Sequence, residues 1–349
     1  MSPHSLGPQT QSRPLIRVVD PYDDGLFQAW YAAMHAGATT GREAPKVVTY
    51  EALSASLRTP TARKKRTTYG AFVDDTIVGT AMLDLPMNEN RHLAEVDINV
   101  PPAQRGRGFG AALFDRVHTV ATNEHRTTFL TEVNVPAGLG VDEWPGSRFA
   151  LRHGFASEHQ EDHLVLDLPV DPDVVERLTR AIAMHHRDYD MRTWTGACPD
   201  ELVDAYASMQ TVMGQDVPIG NLDYTPPALD ADRVRHNDER MAAQGYTSIT
   251  TVARHAGGEL AGYSLMFVDA NDPSGVSQDD TLVMRAHRGH RLGVALKLAN
   301  LGVLTRDYPE RRMVHTWTAG VNGPMQHINI EFGFRKVEQM HEFQRVDQT

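Results

Sequence analysis

Cysteine is nearly absent from the 349-residue chain: Cys198 stands alone, so no intramolecular disulfide can form, and there is neither a CxxC pair nor a Cys/His ligand set. This fits a reducing compartment, and a cytoplasmic location is expected. No run of about 18 apolar residues occurs, and the opening MSPHSLGPQTQSRP lacks the apolar core of a signal peptide. No membrane partner is therefore expected, and residues 1–13 read as a disordered tail. Basic charge is scarce too. With 34 Lys and Arg against 45 Asp and Glu the net charge is −11, opposite to the footprint of a nucleic-acid binder. Two phosphate motifs are missing: a GxGxxG in a parallel βαβ unit, and a GxxxxGK followed by Ser or Thr. His185-His186 and the pair His287/His290 lack a third ligand at a sensible spacing, so no metal site is expected.

What is present repeats. RGRGFGAAL at Arg105 has a counterpart, RGHRLGVAL at Arg288, 183 residues on, and the same offset joins Asp97 to Asp280 and Ile77 to Leu260 without a gap. A copy of that size is a domain duplication, because solenoid repeats run about 20–50 residues. The expected organisation is a first domain over 14–169, a linker helix over 170–187 and a second domain over 188–349. Each half reads as α+β with a mostly antiparallel mixed sheet flanked by helices. In the first half a strand LIRVVD precedes a helix DGLFQAWYAAMHAG and a hairpin that turns at Asp74-Asp75. A strand AEVDINVPP follows, then a helix over Gly108 to Asn123, a strand TTFLTEVNV, a short helix SRFALRHGF and a last strand HLVLDL.

The repeated stretch falls where a strand meets a helix. The first turn of a helix leaves amides unpaired and carries positive potential, which suits a phosphate. Gly106, Gly108 and Gly110 permit close approach of the backbone, and Arg105 and Arg107 supply positive charge that the acidic remainder does not. A pyrophosphate is the expected ligand. The pattern from Val100 through Arg105-Gly106-Arg107-Gly108-Phe109-Gly110, with Gly154-Phe155 later, resembles the GNAT superfamily of N-acetyltransferases. Val283 and Arg288-Gly289-His290-Arg291-Leu292-Gly293, with Gly333-Phe334, repeat it. The resemblance covers nearly the whole chain as a tandem pair, an architecture similar to that of mycothiol synthase.

The resemblance implies acetyl-CoA as cofactor, its pyrophosphate held at Arg105 to Ala111 and at Arg288 to Val294, and its pantetheine arm along the strands ending at Val100 and Val283. Asn322 matches an asparagine that often contacts the cofactor in the family. Many members place a tyrosine acid four residues before the glycine of the GF pair; those positions here are Ala150 and Asn329. An acceptor amine must lose a proton, and Glu95 and Asp97 in one half, with Asp279 and Asp280 in the other, are the candidate bases. The Pro-rich acidic run MGQDVPIGNLDYTPPALDADR reads as a long loop, with Asp216, Asp223 and Tyr224 as candidates to hold a cationic amine. The basic run Arg58 to Arg66 reads as a solvated loop, and Trp194 and Trp317 as core. The expectation is an acetyl-CoA-dependent N-acetyltransferase for a small-molecule amine, monomeric or homodimeric. The alternatives are another acyl group or acceptor on the same scaffold, or a decayed acyl-CoA-binding protein.

Overall fold

The computed structural model describes residues 14–183, 185 and 187–347; the expected tail and His186 lie outside them. Contacts divide the chain into two compact units, one of residues up to 47, 60–131 and 345 onward, the other of 48–59 and 132–344. The first unit contains β1 (Leu15–Val18), α1 (Asp24–Thr39), β2 (Lys64–Val73), β3 (Thr76–Pro86), β4 (Leu93–Asn99), α3 (Phe109–Asn123) and the start of β5 (Thr128–Pro136). The helix between α1 and β2, α2 (Tyr50–Arg58), belongs to the second unit.

The strands of the first unit lie in the order β1-β2-β3-β4-β5, antiparallel except for the parallel pair β4–β5. Asp74 and Asp75 both adopt positive φ (45° and 62°), the conformation a two-residue hairpin needs, so the turn lies where the sequence places it. Asp23 caps α1 by accepting from the Leu26 amide, and Phe27, Trp30, Ala33 and Met34 form its buried stripe. The basic run is a loop only over residues 59–63, between the end of α2 and the start of β2. Lys64 to Arg66 open β2, where Arg66 and Lys64 pair with the buried Asp84, and Lys64 also with Glu95 at 2.6 Å. Ion pairing across adjacent strands makes these cations ordered members of the sheet.

The second unit continues with α4 (Pro145–Arg152), β6 (Ala156–Asp167), α5 (Pro172–Ile182), β7 (Tyr189–Thr195), α6 (Val203–Asp216), α7 (Ala231–Ala243), β8 (Tyr246–His255) and β9 (Leu260–Asp269). It ends with β10 (Gly275–Val283), α8 (Leu292–Asp307), β11 (Met313–Ala319), α9 (Gly323–Phe332) and β12 (Arg335–Val346). Its strands β7-β8-β9-β10-β11 repeat the pattern of β1 to β5, with β10–β11 the parallel pair. Beyond β11 comes β6, antiparallel to it over Met313↔Asp167 to Ala319↔Glu161, and β12 flanks β6 on the other side. The strand HLVLDL, read from sequence as the end of the first half, is therefore built into the second unit. One face of this sheet is covered by α5, α8 and α9 through Leu166, Leu178, Val294, Leu301, Val314 and Phe332. Against the other pack α6 and α7, through Tyr206, Val234, Tyr263 and Leu265.

Candidate functional site

Both repeated loops adopt one backbone course. A 3-10 turn (Pro102–Gln104; Arg285–His287) leads into left-handed glycines, Gly106 at φ 75° and Gly289 at φ 88°, and then a left-handed N-cap, Gly108 in one loop and Arg291 in the other. A Cβ on Gly106, Gly108 or Gly289 would meet nothing within 4 Å, so the loop backbones are open. Phe109, Gly110 and Ala111 form the first turn of α3, and Leu292, Gly293 and Val294 that of α8; first-turn amides lack an acceptor four residues back, and of these Val294 donates to Arg291 O at 3.1 Å. The first arginine of each loop folds back: Arg105 Nε donates to Val100 O at 3.0 Å, and Arg288 Nε to Val283 O at 3.1 Å. Each then ties the loop to a helix, Arg105 through Gly37 O and Arg288 through the Asp216 carboxylate at 2.8 Å. Asp216 is thus engaged with the phosphate-type loop. Arg107 lies exposed, bonded to Gln104, and His290 packs near Tyr189. Arg291 holds Glu331 with two bonds of 2.9 and 3.1 Å while keeping a positive φ of 55°. Asn322 caps α9, its side-chain oxygen accepting from the Met325 amide at 3.4 Å.

The parallel pairs next to these loops are short. β4 meets β5 only from Leu93 to Glu95, and β10 meets β11 only from Gly275 to Ser277. Beyond those residues the strands part, so main-chain groups of Val96 to Val100 and of Gln278 to Val283 are released from parallel pairing. In the first unit Glu95 is ion-paired with Lys64. Asp97 is open to solvent yet set among protein mass; that desolvation pushes its carboxyl up to about 6, opposed by the Asn99 amide at 2.8 Å and assisted by Asp84.

In the second unit β10 is bulged, its register shifting between Gln278 and Thr281, and the bulge presents Asp279 and Asp280. Asp280 accepts from the buried Tyr263 hydroxyl at 2.6 Å. Tyr263 belongs to an edge-to-face stack with Tyr206, which in turn meets Trp194. Asp279 is solvent-accessible, and its carboxyl is raised toward neutrality by desolvation first, then by the Asp280 charge and by Glu161. Glu161 and Glu342 come from β6 and β12. Burial raises both, and the Glu161 charge helps push Glu342 up to about 7. His159 lies 3.7 Å from Glu161, and the loop after α6 is fastened beside it: the Asn221 side chain donates to Glu158 at 3.1 Å and the Asp223 amide to Gln344 at 2.7 Å. Asp223 and Tyr224 are thereby placed by a loop docked on the ends of β6 and β12. Beneath lies a buried chain, Glu338 to His163 to His315, each link 3.0 Å, with Trp317 stacked on His163 at 4.4 Å. Glu161, Glu342 and His159 were not singled out from sequence, because Glu161 and His159 sit on a strand that the repeat assigns to the other half.

Two sheet repeats, each with a parted parallel pair and an open glycine loop before a helix, make up a tandem GNAT fold. Residues 33–138 match the acetyltransferase (GNAT) family model. A tandem GNAT protein from the clavulanic acid biosynthesis pathway is 27% identical, over 96% of this chain and 99% of that one, with a TM-score of 0.80. A GCN5-related N-acetyltransferase from Sphaerobacter thermophilus shares the fold at 15% identity, with 96% of each chain covered and a TM-score of 0.66. No functionally curated protein matches the chain. Among the described residues no helix is long and apolar enough to cross a membrane.

Proposed function

We propose that the protein transfers the acetyl group of acetyl-CoA to the amine of a small cationic molecule, and that the second unit holds the acceptor. The observation that carries this reading is the bulge of β10: it sets Asp279 and Asp280 where β10 and β11 part, beside Glu161 of β6. Carboxylates that raise one another's pKa favour a cation between them, because a positive charge relieves their repulsion. Acetyl-CoA supplies the activated thioester. The open loop amides around Gly289, with the first turn of α8, suit its pyrophosphate, and the unpaired edge of β10 suits the amides of its pantetheine arm. Asp279, accessible and near neutral in pKa, takes the proton that the ammonium must lose, directly or through one water. Tyr263 fixes Asp280 beside it. With Ala150 and Asn329 at the tyrosine positions, the departing thiolate takes its proton from solvent; a thiol pKa near 8.5 permits this.

A second reading places the chemistry in the first unit. Its loop retains glycine at the N-cap, its residues match the family model, and Asp97 stands where β4 leaves β5. Asp97→Asn and Asp279→Asn separate the two. A panel of amines assayed by thiol release identifies the acceptor; loss of turnover in Asp97→Asn with full activity in Asp279→Asn moves the site to the first unit. No thiol release with any amine would favour an acyl-CoA-binding role without turnover.

A further inference from the structure

Lys297 lies inside α8, 3% exposed, with its Nζ donating to Asn329 Oδ1 at 2.6 Å. Asn329 is itself fully buried on α9 and passes the chain on, its Nδ2 donating to Thr318 Oγ1 of β11 at 3.0 Å. Burial alone lowers the amine to about 7. A cavity of about 10 Å³ adjoins it, lined by Lys297, Gln278, Met266, Leu166 and Val314 among others. That is the room one water requires, and a buried water needs two or more polar partners. Lys297 offers donors, and across the cavity Gln278 offers an acceptor: its Oε1 is buried with no partner among the described residues. The other end of the same amide is fully used. Gln278 Nε2 donates to Leu265 O at 2.8 Å and to Asp280 O at 3.2 Å, spanning the bulge from β10 to β9.

We infer that Lys297 is a positioning residue for the candidate bases: through one buried water it holds Gln278, and Gln278 holds the bulge that presents Asp279 and Asp280. The orphaned Oε1 acquires its donor, and Asn329, Lys297, water and Gln278 become one chain from α9 to β10. A buried acceptor left without a donor is destabilising, whereas a chain satisfied throughout fixes one geometry. The inference rests on the reading of Asp279 and Asp280 as the acid–base groups, and its test uses no turnover.

The full chain labelled with ¹³C at the aspartate carboxyl is titrated by NMR, as parent, Lys297→Met, Gln278→Leu and the double variant. Lys297→Met is expected to move the Asp279/Asp280 titration by half a pH unit or more. Gln278→Leu is expected to move it likewise, and the double variant no further than either single change. An unmoved titration in Lys297→Met, or shifts that add in the double variant, overturns the linkage. So does a high-resolution structure of the parent without a water within hydrogen-bond distance of both Nζ and Oε1, a measurement that needs no variant to fold. A chain that turns over no amine while these titrations shift as stated refutes the proposed function and leaves the linkage standing.

Discussion

Asp279 owes its raised pKa to desolvation, to Asp280 and to Glu161, and a base must be deprotonated to act. Turnover is therefore expected to rise with pH through neutrality and to level off above it, being lost as pH falls through the raised value. Asp279→Asn should lower kcat/KM by roughly 10²–10⁴-fold and leave acetyl-CoA affinity nearly unchanged; pH–rate profiles with calorimetry of cofactor binding check both. Lys297 shifts the other way, from 10.5 to about 7 by burial. Between those values the unfolded chain keeps a proton that the folded chain has released, so stability rises as pH climbs from 7 toward 10.5. The slope reaches at most about 1.4 kcal/mol per pH unit for one proton. Lys297→Met should abolish that slope in denaturation curves taken at pH 7 and pH 9; an unchanged slope would show that Lys297 is not its source.

At the scale of elements, the two glycine loops differ in one telling way. Gly108 takes its left-handed N-cap without steric conflict, while Arg291 keeps the same conformation against its side chain and is held by Glu331. Gly108→Glu adds bulk and negative charge where the amides converge, so the first loop should lose acetyl-CoA binding, counted as a lost equivalent in calorimetry. Strand contacts make a sharper test of packing. A Cβ at Gly262 of β9 would lie 2.4 Å from Leu282 O of β10, whereas a Cβ at Gly302, midway along α8, would meet nothing within 4 Å. Gly262→Ala is thus expected to lower the thermal midpoint, since the contact is with backbone that cannot yield. Gly302→Ala should raise stability by roughly 0.5–1 kcal/mol through reduced unfolded-state freedom and better helix propensity.

For the whole molecule the placing of β6 matters most. It lies between β11 and β12, so residues 188–347 on their own lack a central strand of their sheet and expose the unpaired edge of β11. Separately expressed fragments 14–187 and 188–347 are expected to be insoluble or aggregated, and co-expression is expected to recover them together. A soluble, monomeric 188–347 fragment with native-like near-ultraviolet circular dichroism would contradict this. The same strand supplies Glu161 and His159, so the candidate acceptor site needs residues from both sequence halves.

The sequence alone determined what local chemistry dictates. The turn at Asp74-Asp75, the helices opening at Phe109 and Leu292, and the glycine–arginine loops were legible because turn conformation, capping and close backbone approach each demand particular residues at particular spacings. The constant offset made the duplication visible, and with it the tandem fold. Tertiary structure decided which strand lies beside which, and therefore which charges meet. Nothing in EHQEDHLVLDL announces that β6 crosses to β11 and sets Glu161 beside Asp279, because strand pairing is a long-range choice made by burying both faces of a sheet at once. Likewise Lys297 reads from sequence as an ordinary helix lysine. Only the packing of α8 against β10 and α9 buries its amine next to an unsatisfied Gln278, and burial changes what a lysine can do.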